Sequence, residues 1–227
     1  MDRAHGHGHL LYYAADHEAA QAQAHQSLAL AQSLRSTRFE IKSLLNLGLA
    51  KIGLHRLQDA EEHLDDAYAT AQRSGITLWT PWLLGALALV ARNAEKRGRA
   101  LAQGEAMLAN GGAGHSYLHF YQLAAEAALI HGDLRNALRY ADLLEAYSLA
   151  EPSLWSDFWV ARARALVQRA GNAASSGCEA QLQHLAQLAR QIGLKQGLSM
   201  LETFLEQPDV LEGSAATKAV LSNAQKA

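Results

Sequence analysis

The sequence predicts an all-α protein, a solenoid of stacked antiparallel helix hairpins with a repeat period of about 40 residues. Three observations carry that expectation. Roughly one residue in five is alanine and three are proline, a composition that favours helix over strand. Small residues recur at fixed spacing: Gly8 precedes Ala20 by 12 positions, Gly48 precedes Ala60 by 12 and Ala125 precedes Ala137 by 12. Segments with the look of helix ends also resemble one another, LALAQSLRS around Ala31, YATAQRSGI around Ala71 and LAQLARQIG around Ala189.

The elements follow in chain order. Residues 1–9 (MDRAHGHGH) read as a flexible His/Gly-rich N-terminus, 10–206 as a helical repeat domain of about five hairpins plus a closing helix, and 207–227 as a frayed tail. Residues 8–35 read as a hairpin with a shortened first helix. The clearest unit is Ser43 to Gly75: Leu44, Leu47 and Gly48 mark one face of a first helix, and Leu57, Ala60, Leu64, Ala67 and Ala71 mark a second at helical spacing. The turn falls at Gly53–Arg56, and Gly75 is placed to end the second helix in a left-handed conformation. Small residues at 48, 60 and 67 allow close helix approach, with leucines filling the space beside them.

Residues 78–110 begin at a Thr80–Pro81 helix start but carry Arg97 where a small residue is expected. The unit His115 to Tyr147 turns at HGD, where Asp133 can cap the second helix, whose apolar stripe is Leu134, Ala137, Leu138, Ala141 and Leu144. Residues 153–193 open on Pro152–Ser153 and contain the loop GNAASSG; Leu194 to Glu206 reads as the terminal helix.

The units at 43–75 and 115–147 resemble tetratricopeptide repeats in their Leu/Tyr…Leu/Ala-Gly/Ala…Gly/Ala…Ala pattern. The stretch from His115 to Val167, about a quarter of the chain, is similar to the C-terminal repeat region of large bacterial class III adenylate/guanylate cyclases that also carry an AAA-type ATPase domain. The resemblance implies a non-catalytic regulatory or interaction role in such a signalling system, since neither the cyclase nor the ATPase domain has a counterpart in these residues.

Charge excludes little and favours little. Twenty basic against 22 acidic side chains give a formal net charge of −2, which is no footprint for nucleic acid. Arg92, Lys96, Arg97 and Arg99 read as a solvated helix end. The single cysteine, Cys178, excludes an intramolecular disulfide and fits a reducing compartment. No signal peptide is read at the N-terminus, and the apolar run Ile76 to Ala91 is too short to span a bilayer; it reads as a buried helix, and the protein as cytoplasmic.

Motifs for chemistry are sparse. Eleven histidines include His5, His7 and His9 in HGHGH, read as part of the flexible terminus rather than as a metal site. His17-Glu18 with Gln21 misses the second imidazole of a helical zinc motif. His115 and His119 sit four apart on one helix and read as polar residues of the inner face. Phosphate-loop, dinucleotide-binding and hydrolase-elbow patterns are absent, and Glu61/Glu62 and Asp65/Asp66 read as a solvated face. No cofactor, metal or catalytic residue is expected.

Aromatic residues concentrate in first helices or their entries: Trp79, Trp82, Tyr117, Phe120, Tyr121, Trp155, Phe158 and Trp159. First helices line the concave side of a repeat stack, and the register of Gly48, Gly85 and Ala125 places Lys42, Asn46, Trp82, His119, Gln122, Glu126, Arg162 and Arg169 in an interaction groove. Of the basic and asparagine set with which some tetratricopeptide domains clamp a peptide carboxylate, Asn46 alone is matched. The expected function is protein–protein interaction with another protein or partner domain, with a homodimer left open; the alternative is an aromatic-lined groove that senses a small effector.

Overall fold

The computed structural model describes the backbone of residues 2–171 and 176–206, with side chains given from residue 7 onward except 172–176. The described residues form eleven α-helices and a 3-10 turn, without a strand: α1 Asp2–Tyr13, α2 His17–Ser33, α3 Thr37–Gly53, α4 Leu57–Ser74, α5 Thr80–Val90, α6 Ala94–Ala109, α7 Gly114–Ile130, α8 Leu134–Ser148, α9 Leu154–Gly171, α10 Ser176–Ile192, the 3-10 turn Lys195–Gly197 and α11 Leu198–Glu206. Two compact units, 1–123 and 124–227, divide within α7. In the first, each of α1 to α6 packs on its neighbour in sequence, and α3 also touches α1 and α5; in the second, α8, α9, α10 and α11 pack in succession. This is the neighbour-on-neighbour packing of an all-α solenoid. None of these helices is long and apolar enough to cross a membrane.

One device closes six of the helices. A left-handed residue follows α1, α2, α3, α4, α7 and α10, at Ala15, Arg35, His55, Gly75, Gly132 and Gly193. The next residue's N–H then donates to the carbonyl five positions back, as in Asp16→Leu11, Ser36→Ala31, Arg56→Lys51, Ile76→Ala71, Asp133→Ala128 and Leu194→Ala189, at 2.8–3.2 Å. Gly75 and Gly132 stand where the sequence places them. Ala15, Arg35 and His55 adopt the same conformation at a cost of about 1 kcal/mol each relative to glycine. Side chains cap the following helices: Asp16 accepts from Ala19 N at 3.2 Å, Asn93 from Glu95 N at 2.7 Å and Asp133 from Asn136 N at 3.1 Å.

The even-numbered helices bury one narrow stripe at i, i+4, i+7 and i+11. It runs Ala20, Ala24, Ser27, Ala31 in α2; Ala60, Leu64, Ala67, Ala71 in α4; Ala137, Ala141, Leu144, Ser148 in α8; and Cys178, Leu182, Leu185, Ala189 in α10. α6 departs, burying Ala100, Gly104 and Leu108, while Arg97 is half-buried and donates to Ala91 O at 3.3 Å. Close approach explains the small residues: a Cβ on Gly48 would lie 2.6 Å from Leu64 Cδ2, and one on Gly104 would lie 2.7 Å from Phe120 Cζ.

The odd-numbered helices of the first unit are more deeply placed. Residues 41–52 of α3 and 80–90 of α5 are buried on every side, not on one face, because α3 is flanked by α1, α2, α4 and α5. Residues 76–79 are non-helical, with Thr77 exposed, so of the apolar run Ile76 to Ala91 the stretch 80–90 alone is the buried helix it was expected to be. The N-terminus is not: the chain is helical from Asp2, and α1 packs against α2 and α3 through a surface that includes buried Tyr12 and Tyr13. The frayed tail, 207–227, and most of the GNAASSG loop lie outside the described residues.

Candidate functional site

The candidate site lies inside the 1–123 unit and is assembled from four helices. α3 supplies Lys42 and Asn46, one turn apart; α5 supplies Trp82; α7 supplies His115, His119 and Gln122; α1 supplies His9 and Tyr13. Lys42 Nζ lies 3.3 Å from the centroid of the Trp82 ring and 5.9 Å from that of Trp79. The opposite partner of Trp82 is His119, stacked at 3.9 Å and 20°. His9 stands edge-on to three rings, Trp82 at 4.6 Å, Tyr13 at 4.7 Å and His119 at 4.8 Å, and His115 lies 6.4 Å from Trp82. The Tyr13 hydroxyl donates to Gln122 Oε1 at 3.3 Å and is 3.2 Å from His119 Nδ1. The direction of the Tyr13–His119 bond follows the imidazole tautomer.

Several nitrogens here have no hydrogen-bond partner: Lys42 Nζ, both ring nitrogens of His9 and Nε2 of His115. Burial alone holds the Lys42 amine well below the usual lysine range. Burial and then the charges of His119, Lys42 and His115 hold His9 well below the usual imidazole range; burial and then Lys42 and His115 do the same to His119. His115 is lowered by burial, Lys42 and Arg38. Lys42 acts on all three imidazoles, His115 on His9 and His119, and His119 on His9; none of these charges is a carboxylate. The chemistry available is that of a lysine amine and imidazoles whose protons burial weakens, in an aromatic surround, each neutral imidazole offering one N–H donor and one acceptor nitrogen. Among the described residues no group of three or more His, Cys, Asp or Glu is arranged to hold a metal ion.

Five of the eight groove residues, Lys42, Asn46, Trp82, His119 and Gln122, belong to this centre, and all but His119 are buried. They form a packed interior rather than the walls of an open groove, because α1, assigned by its sequence to a flexible terminus, brings His9 and Tyr13 onto them. The other three lie in the second unit. Arg162, 1% exposed, pairs through Nη1 with Glu126, donates from Nε to Gly197 O at 2.7 Å and lies 5.1 Å from the Trp159 ring. Arg169 is buried as well. Glu126 and Arg162 thus strap α7, α9 and the 3-10 turn together instead of facing a partner.

His9 and Tyr13, an i, i+4 pair, and His115 were not among the groove residues; the helical spacing of His9 and Tyr13 was the available signal, masked by the glycines of HGHGH. The side chain of His5 lies outside the described residues. His17 packs against Gly53 and His25 is exposed, so the near-zinc pattern forms no site. Lys96 pairs with Glu61 at 2.7 Å and Asp65 at 2.8 Å, and Arg99 with Glu95 at 2.9 Å, which dissolves the basic cluster and part of the acidic face into ion pairs. Cys178 is buried near the start of α10, and burial pushes its thiol up.

A second feature of the 1–123 unit is a cleft of ≈ 500 Å³ walled by Ile76, Leu78, Pro81 and Met107, floored by Gly111–Gly112 and edged by Arg38. The Arg38 guanidinium lies 5.3 Å from the Trp79 ring. The sequence reading missed this cleft, since its lining is drawn from α3, α5, α6 and the turns between helices. No family model matches the chain, and neither the curated proteins nor the solved structures contain a match to it.

Proposed function

We propose that the chain is a non-catalytic tetratricopeptide-like module of antiparallel hairpins that binds a partner protein and regulates a signalling system of the cyclase/ATPase type. The left-handed residues at 15, 35, 55 and 75, evenly spaced, and the shared buried stripes of α2 and α4 support a period near 40. The partner reading rests on one observation. At the α8–α9 corner of the second unit, Tyr147, Leu149 and Leu154 are 39%, 72% and 66% exposed, large apolar side chains gathered within eight positions. Exposed apolar patches of this kind mark interaction surfaces.

A photo-crosslinking residue at position 149, introduced in cells of the source, is expected to capture a protein bearing a cyclase or AAA-type domain, and Leu154→Asp to abolish the capture. Capture of no protein above the unirradiated control, or capture unaffected by Leu154→Asp, removes the reading. The cleft beside Arg38 favours a second reading, an effector-sensing repeat domain, since its volume suits a small molecule and its mainly apolar lining carries one guanidinium with the polar side chains of Thr77 and Asn110. A ligand of that cleft raises the melting temperature of the wild type and not of Arg38→Ala.

A further inference from the structure

The interior of the 1–123 unit gathers buried basic nitrogens that have no hydrogen-bond partner among the described residues. Lys42 Nζ, the two ring nitrogens of His9 and Nε2 of His115 are all without a partner, and all four are shielded from solvent. Lys42 is 7% exposed and its amine rests on the face of Trp82 at 3.3 Å. An aromatic face attracts an ammonium but replaces little of the hydration it loses. Buried cations are ordinarily matched by carboxylates or carbonyls, and this chain matches Arg162 in that way, with Glu126 and Gly197 O. Around Lys42 the neighbours are three imidazoles, the Trp79 and Trp82 rings and, beyond Trp79, Arg38. None of those groups is a carboxylate, and each neutral imidazole pairs one N–H donor with one acceptor nitrogen.

We propose that this centre is a binding site for a small oxyanion, of the phosphate or carboxylate type, held by Lys42 Nζ, His9 and His115 beneath helix α1. An oxyanion offers acceptors to the lysine amine and the imidazole N–H groups, and negative charge to a centre whose named neighbours carry none. Ligand entry trades the contact of Nζ with the Trp82 ring for a charge-assisted bond to oxygen, a movement the four-carbon stem of Lys42 allows. Because burial weakens the hold of these groups on their protons when the site is empty, an anion raises their basicity and draws protons in with it. That gives the site a signature that simple surface screening lacks. Since α1 covers the centre, occupancy also fixes the position of the first helix.

The site stands apart from the α8–α9 surface and from the Arg38 cleft, so it can fail without either of those readings failing. The test is calorimetric titration of the full chain with sodium phosphate, and separately with sodium acetate, at constant ionic strength in two buffers of different ionisation heat. One site per chain with net proton uptake from the buffer is expected; the relative affinity of the two probes tells a phosphoryl from a carboxyl ligand. Lys42→Met is expected to weaken binding about tenfold or more, and Lys42→Arg, which keeps the charge, to retain most of it. His9→Gln is expected to reduce the proton uptake. Absence of binding by both probes overturns the proposal, as does binding without proton uptake or binding unchanged in Lys42→Met. Should Lys42→Met fail to fold, the buffer dependence of the wild type together with His9→Gln decides the matter.

Discussion

Replacing Lys42 by methionine should make this protein more stable, the reverse of the usual effect of a core substitution. The side chain is 7% exposed, its amine has no hydrogen-bond partner and burial holds it well below the usual lysine range. In the unfolded chain the same amine keeps its proton up to roughly pH 10. Folding at pH 7 must therefore either strip that proton, at up to about 1.36 kcal/mol for each of some 3.4 pH units or ~4.6 kcal/mol in all, or bury it charged at a similar penalty. The contact with the Trp82 ring returns about 2 kcal/mol at most, and only to the charged form. Desolvation wins. Methionine keeps the length and the ring contact, the latter through sulfur at about 0.3–1.5 kcal/mol, and carries no charge to desolvate. Lys42→Met should gain about 2–4 kcal/mol at pH 7 in urea unfolding, with the slope m unchanged. The unfolded chain binds the extra proton, so wild-type stability rises with pH and the advantage of the variant shrinks by about 1.4 kcal/mol per unit between the folded amine's own value and pH 10. A destabilised variant at pH 7, or an advantage that does not shrink as pH rises, would show that Lys42 has a compensating partner and would refute this reasoning.

Three further outcomes are expected. Arg162→Met leaves the Glu126 carboxylate, 13% exposed, and the Gly197 carbonyl without their cation; it should cost about 3–5 kcal/mol in urea unfolding, partly recovered by adding Glu126→Gln, and a loss under about 1 kcal/mol would mean the pair is screened like a surface one. Gly48→Ala places a Cβ 2.6 Å from Leu64 Cδ2 and should cost about 1–3 kcal/mol, with a smaller penalty in a Leu64→Val background; equal penalties in the two backgrounds would locate the strain elsewhere. Below about pH 6.5 the unfolded imidazoles of His9 and His119 take up protons that burial and the charges of Lys42 and His115 deny the folded ones. Stability is thus full above that pH and falls as pH drops below it, by up to about 1.4 kcal/mol per unit for each imidazole, and His9→Gln should flatten the decline followed by thermal melts from pH 7.5 to 5.

Much of the fold was legible because a hairpin writes itself into local spacing. Ala60, Leu64, Ala67 and Ala71 lie on one face at helical intervals, and Gly75, Gly132 and Asp133 are residue types that turns and caps demand. Ala15, Arg35 and His55 do the same job without the residue type that signals it. Their left-handed backbone is enforced by the carbonyls and N–H groups of the helix end and by the packing of the helices on either side, which is tertiary information. The same holds for α3, where a one-sided stripe was legible and burial on every side was not. Residue patterns record which face is apolar, whereas the number of neighbours a helix acquires depends on the twist from one hairpin to the next.

The candidate site divides along the same line. Register from Gly48 and Gly85 placed Lys42, Asn46, Trp82, His119 and Gln122 together on the inner side, and the structure brings them into one centre. Register could not say that the centre is roofed. The roof comes from α1, whose HGHGH composition reads as flexible and whose His9 and Tyr13 nonetheless fall one helical turn apart, against Trp82 and Gln122. Closing the site changes the physics of every group in it. An exposed Lys42 would be an unremarkable cation at the edge of a peptide groove; a covered one is an amine without a hydrogen-bond partner beside three imidazoles. Arg162 shows how this chain treats a buried cation when stability alone is served, with a carboxylate, a carbonyl and a ring. Lys42 has the ring and no hydrogen-bonding partner. In a sequence whose local choices otherwise agree with its fold, a costly departure of that kind marks a place kept for function.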